Sequence, residues 1–166
     1  DGQWKELLKH AHTLSVRQPY RRSVFVLMAT AYAQLGSWDR AEFFARQVLE
    51  RWWPDDAASA NLMGLLVEQR AQSSGEIREA ISYYHRAFDN HPREVAAGLN
   101  LGHAYMRLGR LSDADHVFAQ CSLRCDDCAQ AQFSRAVAAE RVGKLELSHQ
   151  LLSALSRKSE ASPRVQ

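Results

Sequence analysis

Glycine and proline are scarce in this chain, eight and four among 166 residues, and they are spread along it rather than gathered into turns. A fold of many short strands would consume more of both. Cysteine is low and odd in number, at three, which argues against a small domain held by disulfide staples. The count favours a reducing compartment, the cytoplasm, and leaves the periplasm open. Charge of one sign is missing too: 21 basic residues face 19 acidic ones, a net charge of +2, so nothing draws the chain to nucleic acid. No apolar run approaches the roughly 18 to 20 residues of a membrane helix, so no membrane insertion is expected. There is no nucleophile elbow, phosphate loop, paired-carboxylate pattern or histidine pair at metal-binding spacing. No catalytic residue, metal or cofactor is assigned, and the chain is not expected to be an enzyme.

What is present is helical periodicity. Apolar residues recur at three-and-four spacing, as in Leu7, Leu8, Ala11 and Leu14, or Val24, Phe25, Leu27, Met28, Ala31 and Tyr32. Hydrophobic residues make up 46% of the chain and charged ones 24%, enough to build a core in a chain of this length. The fold class is therefore all-α.

Self-similarity refines this. Gly2, Gly36, Gly109 and Gly143 each stand before one polar residue and then a large apolar one that begins a helix, and Gly75-Glu76-Ile77 is a variant. Successive glycines lie 34, 39, 34 and 34 residues apart, one helical hairpin per interval. Each glycine reads as the left-handed residue that ends the preceding helix. The long interval carries four extra residues between Gly64 and Gly75, expected to lengthen the first helix of that hairpin or its turn.

Leu101-Gly102-x-x-Tyr105, Gly109 and Ala114-x-x-x-Phe118 resemble the tetratricopeptide repeat signature, without its leading Trp and closing Pro. Met63-Gly64, Ala80-x-x-x-Tyr84, Ala87 and Pro92 repeat it, as do Tyr32, Gly36, Trp38, Ala41 and Pro54. The weakest copy has Gly143, Leu145, Leu152 and Leu155. The resemblance implies a right-handed superhelical stack of antiparallel hairpins, an α-solenoid, over residues 1–157. Its parts are a half repeat at 1–20 and hairpins at 21–55, 56–94, 95–128 and 129–157, with a polar tail at 158–166. The lone opening helix leads us to expect a segment of a larger tetratricopeptide protein.

The resemblance also implies a concave groove lined by each hairpin's first helix. The groove positions include Thr30, Gln34, Asn61, Leu65, Gln69, Leu99, Asn100, His103, Arg107, Phe133, Glu140 and Arg141. Side-chain amides among them can bond the backbone of an extended peptide, and Leu65, Leu99 and Phe133 offer apolar pockets. The chaperone-tail subtype is argued against, because Val26, Asn61, Leu99 and Phe133 stand where its clamp would place lysines.

Three further features invite chemistry. Cys121-x-x-x-Cys125-x-x-Cys128 has the spacing of a cluster-binding loop but lacks the flanking strand and glycine-rich site that such loops need. Unpaired thiols, a disulfide, or a metal with His116 or His149 as a further ligand all stay open for it. Arg17, Arg21 and Arg22 form a basic cluster that is either a solvated turn or a contact for phosphate or an acidic peptide. Trp52 and Trp53 point about 100° apart on a helix, which makes burying both difficult and makes them candidate edge contacts. The expected function is a scaffold that holds a protein or peptide partner within a larger assembly. The alternative is a structural module whose terminal hairpins stack on other copies or on upstream repeats, or a protein of cysteine-based metal or redox chemistry.

Overall fold

A computed structural model describes residues 2–91, 94–125 and 128–161. Among them it contains nine α-helices and no strand: α1 (Gly2–Arg17), α2 (Arg22–Gln34), α3 (Trp38–Gln47), α4 (Ala57–Arg70), α5 (Ser74–Asn90), α6 (Val95–Arg107), α7 (Leu111–Arg124), α8 (Ala129–Arg141) and α9 (Leu145–Ala161). A π-helical turn, Val48–Trp52, continues α3. The last helix runs into the segment read above as the tail. The chain divides after His91 into two compact units, α1–α5 and α6–α9. In the first, α2 packs on α1, α3 and α4, and α4 packs on α5. In the second, α7 packs on α6 and α8, α8 packs on α9, and α6 touches α8. Each unit is thus built of antiparallel hairpins whose first helices lie side by side.

Three of the hairpin turns share one mechanism. Gly36, Gly109 and Gly143 have φ of 71°, 73° and 84°. In each case the next residue's N–H reaches back to close the helix: Ser37 to Tyr32 O, Arg110 to Tyr105 O and Lys144 to Ala139 O, all at 2.9 Å. Carbonyls that the helix end would orphan are satisfied, and only a residue without Cβ reaches this conformation cheaply.

Two glycines depart from that reading. Gly2 opens α1, and Gly75 lies inside the first turn of α5; neither has a positive φ. The α4–α5 turn is made instead by a capping box. The Ser73 hydroxyl accepts from the Glu76 N–H at 3.3 Å, and the Glu76 carboxylate accepts from the Ser73 and Gln72 N–H groups at 2.9 and 2.8 Å. Those bonds start α5 one residue before Gly75, whereas α3, α7 and α9 start two residues after their glycines. Of the four extra residues only one goes to the first helix, since α4 has 14 residues against 13 in α2, α6 and α8.

Small residues set how closely helices approach. Ala41, Ala45, Ala80 and Ala114 are fully enclosed. Gly64 lies against the Tyr84 ring and Gly102 against Phe118, so closely that an added Cβ would overlap the ring. In the first unit the remaining space is filled by aromatic side chains. Tyr32 stacks on Phe44 with centroids 5.5 Å apart, and Phe25 meets Trp52 at 4.6 Å. Tyr32 is buried while Phe25, Phe44 and Trp52 are half-buried, so each contributes up to the roughly 1.5–3 kcal/mol of a fully buried ring.

Candidate functional site

The residues mapped to the inner wall lie on α2 and α4 of the first unit and on α6 and α8 of the second. In the first unit, Thr30 and Gln34 lie on α2, and Asn61, Leu65 and Gln69 on α4. Thr30 is half-buried and its hydroxyl donates to Val26 O at 2.9 Å, so it is partly occupied with its own helix. Asn61 is half-buried as well; Gln34 and Gln69 are exposed, and Leu65 is 41% exposed. Glu68, next to Gln69, accepts the Tyr84 hydroxyl at 2.7 Å, which ties this face to the second helix of its hairpin.

In the second unit, Leu99, Asn100 and His103 are half-buried on α6, and Arg107 is exposed at its end. Phe133, Glu140 and Arg141 are exposed on α8, with Phe133 at 55%. His103 is the joint between the helices. Its Nε2 shares a hydrogen bond with Ser134 Oγ at 3.1 Å, and its ring lies 5.3 Å from Phe118. Phe133 precedes Ser134 on α8 and leaves its ring exposed.

Trp52 and Trp53 are both half-buried. Trp52 ends the π-helical turn, and its ring meets Phe25 at 4.6 Å. Trp53 sits 5.7 Å from Trp52 and borders a cleft of about 340 Å³ with Pro54, Arg22 and His91. Of the basic cluster, Arg22 is taken up by Asp56, a buried residue that also caps α4 by accepting from the Ser59 N–H at 2.7 Å. Arg21 donates to Gln18 at 2.8 Å.

The cysteines divide. Cys125 and Cys128 are joined by a disulfide, with Cα atoms 5.5 Å apart, across the α7–α8 connection. Of the three states left open this is the one that suits an oxidising compartment. Cys121 is a buried free thiol, and burial pushes its pKa up to about 11, the state of an inert core residue. Among the described residues no three His, Cys, Asp or Glu side chains are grouped to hold a metal ion. No described helix is long and apolar enough to cross a membrane.

Two polar arrangements were not anticipated from the sequence. Asp115 on α7 is nearly buried and accepts from Arg135 Nε on α8 at 2.9 Å and from Lys144 Nζ, just before α9, at 3.1 Å. Burial alone would raise its pKa, but the hydrogen bonds from Arg135 and Lys144 outweigh that and hold its carboxyl below the usual range. An acid following a core alanine is a weak signal, and its basic partners lie 20 and 29 residues away. The second is an open cleft of about 530 Å³ bordered by Lys5, Lys9, Tyr32 and Arg40. The i, i+4 lysine pair was its one visible trace.

Residues 71–140 match the family model of the tetratricopeptide repeat. The chain also superposes on solved tetratricopeptide structures. A crystal structure of MamA matches with TM-score 0.79 at 16% identity, over 96% of this chain and 90% of that one. MamA from residue 41 to its end, from Desulfovibrio magneticus, matches with TM-score 0.76 at 15% identity, over 97% and 89%. TTC0263, a thermophilic tetratricopeptide protein of Thermus thermophilus, matches with TM-score 0.73 at 16% identity, over 97% and 86%. No curated protein matches the sequence. Residues 71–140 thus carry tetratricopeptide repeats, and the chain has the all-α hairpin fold of these solved structures. Proteins of this architecture are, as a class, scaffolds for protein interaction and generally without catalytic activity.

Proposed function

We propose that the chain is a non-catalytic binding scaffold that holds an extended segment of a partner protein on its first-of-pair helices, as part of a multiprotein assembly. The observation that carries this is the α6–α8 face. Phe133 leaves more than half its surface in water beside the hydrogen-bonded His103 and Ser134, with Leu99 and Asn100 on the facing helix. An outward aromatic ring flanked by polar groups is the composition of a binding hot spot rather than of a solvated face. The α2–α4 face offers Leu65 between the amides of Asn61 and Gln69 in the same manner. Apolar pockets select the partner's side chains, while the amides bond its backbone.

A photo-crosslinking residue placed at Phe133 tests this in the producing cell. Partner adducts should form there and be lost when Asn100, His103 and Arg107 are all changed to Ala. Undiminished adducts in that triple variant would remove the face from the reading. A second reading, self-association through the terminal hairpin, is favoured by Leu145 and Leu152 on α9, which are 65% and 41% exposed. A sedimentation coefficient that stays constant up to high micromolar concentration would exclude it.

A further inference from the structure

The first unit holds a second, chemically different site. We infer that the cleft between α1, the α2–α3 turn and the start of α3 binds an acidic segment of a partner protein through Lys5, Lys9 and Arg40.

The charge pattern is one-sided. Lys5 and Lys9 stand one helical turn apart on α1, and Arg40 comes from α3; all three are exposed and border the same cleft. Among the described residues no carboxylate lies in ion-pair distance of any of them, although the other arginines of α3 and α4 are paired. Arg46 engages Glu42 and Glu50, and Arg70 engages Asp39 and Glu42. The nearest acid in sequence to Arg40, Asp39, is therefore already committed to Arg70 at 2.8 Å. Three cations without a carboxylate partner raise the positive potential over the cleft they border.

The cleft is also built rather than merely charged. Its floor is the Tyr32 ring, which is 7% exposed, stacks on Phe44 and accepts the Arg40 guanidinium over its face at 5.5 Å. The Tyr32 hydroxyl and His12 Nε2 share a hydrogen bond at 2.9 Å, which fixes both groups at the wall. The cation–π contact holds Arg40 toward the cleft and reduces the rotamer freedom it would lose on binding.

Size selects the ligand class. A volume of about 530 Å³ exceeds a single small anion several-fold and lies in the range of pockets that enclose many-atom ligands. Several carboxylates on one strand of peptide match three separated cations better than one compact ion does. This inference rests on the scaffold reading only in taking the occupant to be protein, and it uses none of the residues tested at the α6–α8 face.

The test is direct titration of the full chain with a fluorescein-labelled decapeptide of alternating glutamate and glycine, followed by anisotropy at low salt. Changing Lys5, Lys9 and Arg40 together to Ala should weaken binding about tenfold or more, and added salt should weaken it in the unaltered chain. A control variant, Arg51, Arg78 and Arg157 to Ala, removes the same charge elsewhere and should bind as the parent does. Equal loss in both variants, equal binding of the matched glutamine peptide, or absence of binding to the glutamate peptide would each overturn the proposal. Displacement of the peptide by inorganic phosphate well beyond that by chloride at equal ionic strength would also overturn it, by assigning the cleft to a free ion. All three side chains are exposed, and unchanged circular dichroism of the variants keeps a binding loss separate from unfolding.

Discussion

Hairpin α4–α5 and hairpin α6–α7 meet the same packing demand with different rings. In both, a glycine in the first helix lets an aromatic side chain of the second approach closely: Tyr84 at Gly64, and Phe118 at Gly102. Both rings are fully enclosed. Only Tyr84 is also anchored at its far end, where its hydroxyl donates to Glu68 at 2.7 Å. The first ring is thus held by shape and by a charge-assisted hydrogen bond. Close packing alone brings helices together, and the added hydroxyl removes the ring's freedom to retreat.

Substitution at the two glycines exposes that difference. Gly64→Ala should cost about 3 kcal/mol and Gly102→Ala about 2 kcal/mol, both read from urea unfolding. The added methyl comes to 2.5 Å from Tyr84 and closer still to Phe118, but the untethered Phe118 ring can shift whereas the tethered Tyr84 ring forces the helix to move. Adding Tyr84→Phe to Gly64→Ala should bring its penalty down to that of Gly102→Ala, since the untethered ring can shift. If Gly64→Ala proves the milder change, the hydroxyl is not what immobilises the ring.

The same pair shows what a sequence can disclose. Glycine and aromatic positions recur at fixed spacing because the fold demands close approach at each hairpin, so the repeat was readable without coordinates. The three left-handed turns were readable for the same reason. Gly75 was misread because a glycine near a turn carries no mark of whether it ends one helix or begins the next, and the Ser73-x-x-Glu76 signature decides it. Burying both tryptophans was expected to be difficult, and both are half-buried; the π-helical turn that carries Trp52 leaves no pattern in the residues. The candidate faces follow from the family's geometry, but which groups on them are already engaged does not. His103 bonds Ser134 on the next first helix, a contact that depends on how two repeats are set side by side. The cysteine triplet left three chemical states open because spacing alone does not fix side-chain direction, and only two of the three sulfurs face one another.

Glu42 and Asp115 extend the comparison to charge, since each follows the core alanine of its second helix, Ala41 and Ala114, and each binds an arginine of the next first helix. Their surroundings differ. Asp115 is 13% exposed with two cations converging on it, while Glu42 is 28% exposed and its partner Arg70 is 47% exposed. Asp115→Asn should cost about 1.5 kcal/mol, the value of hydrogen bonds to a charged group partly sheltered from water. Glu42→Gln should cost only a few tenths of a kcal/mol, because solvent screens that pair and both arginines can rehydrate. Acid separates the two further. A carboxyl held below its unfolded pKa contributes stability that is complete above that value and disappears as pH falls through the folded one. The Asp115 contribution should therefore be whole at neutral pH and decline below about pH 4, and the Asp115→Asn variant should lose less stability over that interval than the parent. Unfolding midpoints measured from pH 7 downward give both slopes. Parallel slopes for parent and Asp115→Asn would mean that Arg135 and Lys144 do not depress this carboxyl, and that the two acids, buried or not, are equivalent.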